Sequence, residues 1–221
     1  MLVIGNGRMI TRDASSAFFE NGAVAMDGNT IKMVGVTDEV KKTYPDAEFV
    51  GSGSGKSAFA EDCVVSFGKT DRIYIATMYP FDEESRKRVQ RHRKMRQGKG
   101  FETVECYTGL DKIRLPENCT VLLECMSNLV ANEMFQEEGA HENTVEAVLK
   151  GVRHIREQAG NLVIVTNEIF SEAADYQGET ELYQEYLGQI NQKIAEIADQ
   201  VVEVVYGIPV YHKNKLLSGE G

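Results

Sequence analysis

Four short runs, Arg72–Thr77 (RIYIAT), Thr120–Cys125 (TVLLEC), Leu162–Asn167 (LVIVTN) and Val201–Tyr206 (VVEVVY), are dense in valine, isoleucine and leucine. Strands of that composition are buried on both faces, the condition of a parallel sheet covered by helices. Between them lie helical patterns at Ser57–Phe67, Glu83–Gln97, Glu142–Gln158 and Thr180–Asp199. The third carries Val145, Val148, Leu149, Val152 and Ile155 on one stripe, and the fourth Tyr183, Leu187, Ile190, Ile194 and Ile197. The β-α alternation predicts an α/β, three-layer domain with a mainly parallel sheet and right-handed crossovers.

The first 49 residues differ. Short strand-like pieces (Met1–Ile4, Ala23–Met26, Thr30–Val34) are separated by turn signals, the Asp27-Gly28 step being the clearest. A β-rich, antiparallel leader at 1–49 followed by an α/β domain at 50–221 is therefore expected. The 221 residues, 42% hydrophobic and 26% charged, suffice for one full domain with an appendage and exclude wholesale disorder.

A net charge of -10 repels a phosphate backbone, so general nucleic-acid binding is excluded and any polyanion site must be local. The apolar runs fall far short of the roughly 20 residues that span a bilayer. No secretory signal is readable at the N-terminus, where Asn6, Gly7, Arg8, Arg12 and Asp13 interrupt the apolar residues, and the expected address is cytoplasmic. Cys63, Cys106, Cys119 and Cys125 contain no C-x-x-C pair and read as reduced, mostly buried thiols.

Gly51-Ser52-Gly53-Ser54-Gly55-Lys56-Ser57 follows the apolar stub Phe49-Val50 and opens an amphipathic helix. That is the context of a phosphate-binding loop: glycines let backbone N–H groups converge on phosphate, Lys56 reaches the outer phosphates, and the Ser57 hydroxyl can ligate Mg²⁺. The fit to G-x-x-x-x-G-K-[ST] has one flaw, Val50 at the first glycine position. A flexible linker is the alternative, but a linker has no need of Gly-Lys-Ser directly before a helix. Such a loop needs an acidic residue at a neighbouring strand end to hold the metal, and Glu124 closes the run Val121-Leu122-Leu123.

Arg86 to Arg96 concentrates positive charge in an acidic chain. By itself the run reads as a solvated helix face or a nucleic-acid patch; beside a phosphate loop it reads as cations for a nucleoside triphosphate. His92, flanked by Arg91 and Arg93, is then biased toward the neutral, nucleophilic imidazole, which could attack an α-phosphorus and expel pyrophosphate. His141, His154 and His212 have no metal-ligand spacing and read as ordinary helix or surface residues.

The ordered segments SGSGKSAFAE, RIYIAT, DEESRKRVQRHRKMR, TVE at 103–105, LLECMSNLVANEMF, VTNE at 165–168 and LGQINQKIAEIADQVVEVVYGIPV resemble the bifunctional adenosylcobinamide kinase/adenosylcobinamide-phosphate guanylyltransferase family of cobalamin biosynthesis, over about residues 50 to 213. The resemblance implies a P-loop α/β fold, a homo-oligomer, and two reactions. ATP or GTP phosphorylates adenosylcobinamide; GTP then guanylylates a histidine, and GMP passes to the substrate phosphate. It implies that Gly51 to Ser57 hold the triphosphate, that His92 and Lys56 are catalytic, and that Thr77, Arg93, Arg96 and Glu105 lie near the nucleotide. It also implies Ser57 and Glu124 at Mg²⁺.

Three departures stand against this likeness: Val50, the segment Ile169 to Ala174 without the glycine-rich, proline-containing stretch of many members, and one extra residue between His92 and Glu105. The leader pieces MLVIGNGRMITRD, NGAVAMDGNTIKMVG and YPDAEFV resemble instead the N-terminal segment of a metal-dependent amidohydrolase, ending before any metal-binding H-x-H. The leader thus reads as a fusion or misjoined frame that replaced the family's first strand, with residues 47–50 expected to serve in its place. Two alternatives remain open at this stage: a P-loop kinase of another small hydroxylated molecule, and an inactive nucleotide-binding fusion chain.

Overall fold

The structure is a computed structural model and describes residues 1–10, 18–50, 55–81, 83–167, 178–205 and 207–215. It divides into two compact units, one of residues 1–59 with 201–221 and one of residues 60–200.

In the first unit β1 (Leu2–Ile10), β2 (Phe18–Asp27) and β3 (Thr30–Val36) form an antiparallel meander, and the short helix α1 (Thr37–Thr43) follows. The β2–β3 turn is the expected Asp27-Gly28 step, with Gly28 at φ 55°, where a side chain is disfavoured. Val40 of α1 buries itself against Ala23 and Ala25 as a small core. The stub β4 (Glu48–Val50) pairs in parallel with β1, Leu2 opposite Glu48 and Ile4 opposite Val50. The expectation that 47–50 serve as a strand of the central sheet is thereby corrected: three residues of extended chain find their hydrogen-bond partners in the leader's sheet, order β3-β2-β1-β4.

The second unit holds the parallel sheet. β5 (Arg72–Ala76), β6 (Phe101–Glu105), β7 (Thr120–Glu124) and β8 (Asn161–Val165) lie in the order β6-β5-β7-β8, all parallel. Its helices are α3 (Glu83–Arg96), α4 (Met126–Phe135), α5 (Thr144–Gln158) and α6 (Glu179–Ile197), together with most of α2 (Lys56–Ser66). Successive strand residues point to opposite faces. Ile73, Ile75, Val121 and Leu123 pack on one side with Met126, Leu129, Val148, Val152, Ile155, Leu187 and Ile190 of α4, α5 and α6. Tyr74 and Leu122 face the other way, toward Ala60 and Val64 of α2. These are the three layers the sequence predicts, and every residue of β7 is buried.

The run at 201–206 departs from expectation. It forms β9 (Gln200–Val205), but pairs with β10 (Ile208–Asn214) in a separate two-stranded sheet. Glu203 is exposed in this hairpin.

Helix α5 packs so tightly on the 3₁₀ turn Leu110–Lys112 that a Cβ at Gly151 would lie 2.6 Å from Leu110 Cβ. Leu110 is itself fully buried and cannot swing aside. Gly151→Ala is therefore expected to lower unfolding free energy by about 1–3 kcal/mol despite alanine's better helix propensity, as read from urea denaturation.

Candidate active site

The chain order β5, β6, then β7 on the far side of β5 puts the topological switch between β5 and β7, and ligands of open parallel sheets bind outside the C-terminal strand ends at that point. Register aligns Ala76 with Glu124 there. The next residues lock together: the Thr77 hydroxyl donates to the Cys125 carbonyl at 2.8 Å and accepts the Cys125 N–H at 2.7 Å, while Asn132 Nδ2 of α4 donates to the Thr77 carbonyl at 2.8 Å. Thr77 is fully buried, so its hydroxyl joins two strand ends.

Glu124 is buried at the mouth of this crevice. Its Oε2 accepts a hydrogen bond from the Tyr74 hydroxyl at 3.0 Å, and its Oε1 lies 3.7 Å from His92 Nδ1 of α3. Burial, and then the Glu124 charge, push the Tyr74 phenol far above its ordinary pKa, so Tyr74 remains a donor. The Arg96 guanidinium, one turn along α3 from His92, lies flat on the Tyr74 ring, 3.3 Å from its centroid. Arg96 is 6% exposed, and its Nη1 has no hydrogen-bond partner among the described residues.

Arg93 is turned to Glu105 at the end of β6, where the Tyr107 hydroxyl also donates, at 2.9 Å. The cationic flank expected around His92 is thus offset by Glu124 on the Nδ1 side. The structure brings His92, Arg96, Thr77 and Glu124 to one strand-end crevice, with Arg93 and Glu105 beside it. Gly51, Ser52, Gly53 and Ser54 lie outside the described residues, as do Glu168 and the segment at 169–174.

Gly55, Lys56 and Ser57 open α2, in the first unit. Gly55 sits at φ 76°, and a Cβ there would meet the Gly207 Cα at 2.7 Å, so the position admits glycine alone. Mg²⁺ takes few protein oxygens and keeps waters and substrate phosphates. A single carboxylate such as Glu124 at its strand end is a donor of that kind. Among the described residues no cluster of three His, Cys, Asp or Glu forms an all-protein cage.

Tyr74 and Arg96 as a stacked pair escape sequence reasoning, although a tyrosine in a buried strand must find a partner for its hydroxyl. So does Glu61, fully buried on α2, whose Oε2 receives Lys99 Nζ at 2.7 Å. That pair ties α2 to the end of α3. The hydrogen bond from Lys99 to Glu61 leads the effects that raise the lysine pKa. Its contribution to stability is therefore present below the ordinary lysine pKa and lost as pH rises through the raised folded value. Lys99→Met leaves a buried, unpaired carboxylate and should cost about 3–5 kcal/mol in urea denaturation at neutral pH, with the gap to wild type narrowing in strong alkali.

Residues 49–211 match the family described as "Cobinamide kinase / cobinamide phosphate guanyltransferase". The chain is similar to two proteins named "Bifunctional adenosylcobalamin biosynthesis protein CobU", from Escherichia coli (strain K12) and Salmonella typhimurium (strain LT2). Each is 29% identical over 174 residues, covering 72% of this chain and 94% of the relative.

Proposed function

The chain belongs to the cobinamide kinase/cobinamide phosphate guanyltransferase family, and from that premise we propose that it carries out two reactions on adenosylcobinamide. In the first, the substrate hydroxyl attacks the γ-phosphorus of ATP or GTP, releasing the diphosphate and a proton. In the second, His92 attacks the α-phosphorus of GTP and expels pyrophosphate. The phosphate of the substrate then attacks the same phosphorus, the P–N bond breaks, and adenosylcobinamide-GDP leaves with the histidine restored.

The observation that carries this reading is the place of His92: at the switch-point crevice, Nδ1 3.7 Å from the buried Glu124. A carboxylate on that side favours the tautomer protonated at Nδ1, which leaves the Nε2 lone pair for phosphorus. Tyr74 holds the carboxylate in place. Arg96, with Arg93 beside it, supplies positive charge for phosphate oxygens. Gly51 to Ser57 are proposed to grip the triphosphate, with Lys56 at its outer end. Ser57 and Glu124 would hold Mg²⁺, whose charge offsets that of the phosphates. A homo-oligomer and a cytoplasmic setting belong to the same reading.

Incubation with GTP labelled at the α-phosphate should leave an acid-labile, alkali-stable label on the protein. His92→Ala should abolish it while ATP-dependent phosphorylation of adenosylcobinamide survives, and Glu124→Gln should slow labelling on the order of 100-fold. An unlabelled wild-type protein, or a fully labelled His92→Ala, removes the histidine from the mechanism.

A further inference from the structure

Helix α4 leaves the end of β7, and two of its consecutive residues fasten the chain where it leaves β5 and β6. Asn132 holds the Thr77 carbonyl beyond β5, its amide oriented by Gln136 Nε2, which donates to Asn132 Oδ1 at 2.9 Å. Glu133 is 3% exposed, and both of its oxygens are used: Oε1 accepts the Gly109 N–H at 2.7 Å and Oε2 the Ala140 N–H at 3.0 Å. A carboxylate at this depth is costly unless donors meet it, and here the donors are backbone groups of two separate loops. A Cβ at Gly139 would run into the Glu133 carbonyl, so the second of these loops lies close against the helix.

The first loop, residues 106–109, joins β6 to the 3₁₀ turn. Its near end is pinned to the sheet by the Cys106 N–H, which donates to the Ala76 carbonyl at 2.9 Å, and its far end by Glu133. Tyr107 stands between the two pins. Its hydroxyl donates to Glu105 Oε2 at 2.9 Å, and Glu105 Oε1 receives the Arg93 guanidinium. Burial, and then the hydrogen bond to Glu105, push the Tyr107 phenol up to about 12, so it stays a donor at neutral pH. An ion pair as exposed as Arg93–Glu105 holds its geometry weakly by itself, because water competes for both partners. A second donor on the carboxylate restricts its rotamer and so the place of the guanidinium it receives.

We propose that Glu133 and Tyr107 are positioning residues for guanylylation: Glu133 sets the loop, Tyr107 in that loop holds Glu105, and Glu105 holds the Arg93 guanidinium beside His92. The assignment rests on the two-reaction reading and adds to it two residues outside the reacting groups. Phosphorylation of adenosylcobinamide needs no His92 in that reading and does not depend on these contacts.

The test compares full-length chains in two assays: the initial rate of self-labelling by GTP that carries its label on the α-phosphate, and ATP-dependent phosphorylation of adenosylcobinamide. Glu133→Gln keeps the shape of the side chain but turns an amide NH₂ toward one of the two backbone donors. Tyr107→Phe removes a single hydroxyl. Each should slow labelling about tenfold or more, while phosphorylation stays within about twofold of wild type. The double variant should be no slower than the slower single variant, because both changes release the same carboxylate. Labelling at the wild-type rate in either single variant overturns the assignment. So does a double variant slowed by the product of the two single effects. An equal loss of both activities also overturns it, since that marks residues that only hold up the fold. In each of these cases the two-reaction reading stands; a wild-type chain that takes no label overturns that reading and the assignment with it.

Discussion

A buried carboxylate at the end of a buried strand governs the site. Glu124 is carried to the sheet's switch point by the register that sets Ala76 opposite it, and so much charge out of water persists only with partners. Tyr74 meets one oxygen from below, and the His92 ring stands off the other. Tyr74 is covered in turn by Arg96. Tyr74 thus links the carboxylate to the guanidinium, and Glu124 links Tyr74 to the imidazole.

The sheet was legible in sequence wherever both of its faces are dry. β5 and β7 are continuous runs of apolar residues packed on both faces, and the edge strand β8, partly buried, keeps the same composition. β6 is an edge strand with exposed Glu102 and Thr103, so its periodicity is mute, and only its likeness to a family segment marks it. The run from Val201 carries the same branched residues as the core strands, yet β9 pairs with β10 in a hairpin. The destination of β4 was beyond sequence reasoning: three residues specify extended backbone but not which strand they join.

The site was legible by residue type and not by arrangement. His92 and Glu124 stand out in the sequence, one in a cationic run and the other closing an apolar strand, but their approach depends on how α3 lies over β7. The Tyr74–Glu124 hydrogen bond and the Glu61–Lys99 ion pair join residues 50 and 38 positions apart. No local pattern encodes such pairs; they follow from register and helix packing. Cys106 and Cys125 are buried, and burial pushes the Cys106 pKa up to about 11, consistent with a thiol that packs and does not react.

In the proposed reaction the orientation of one imidazole joins the fold to the chemistry: with the Glu124 carboxylate 3.7 Å from Nδ1, Nε2 is the nitrogen proposed to attack phosphorus. Protein labelled with ¹⁵N at histidine and allowed to react with GTP can be examined by ³¹P–¹⁵N coupling in the NMR spectrum of the intact adduct. The proposed reaction predicts GMP on Nε2 of His92. Attachment through Nδ1, or to any other residue, contradicts it.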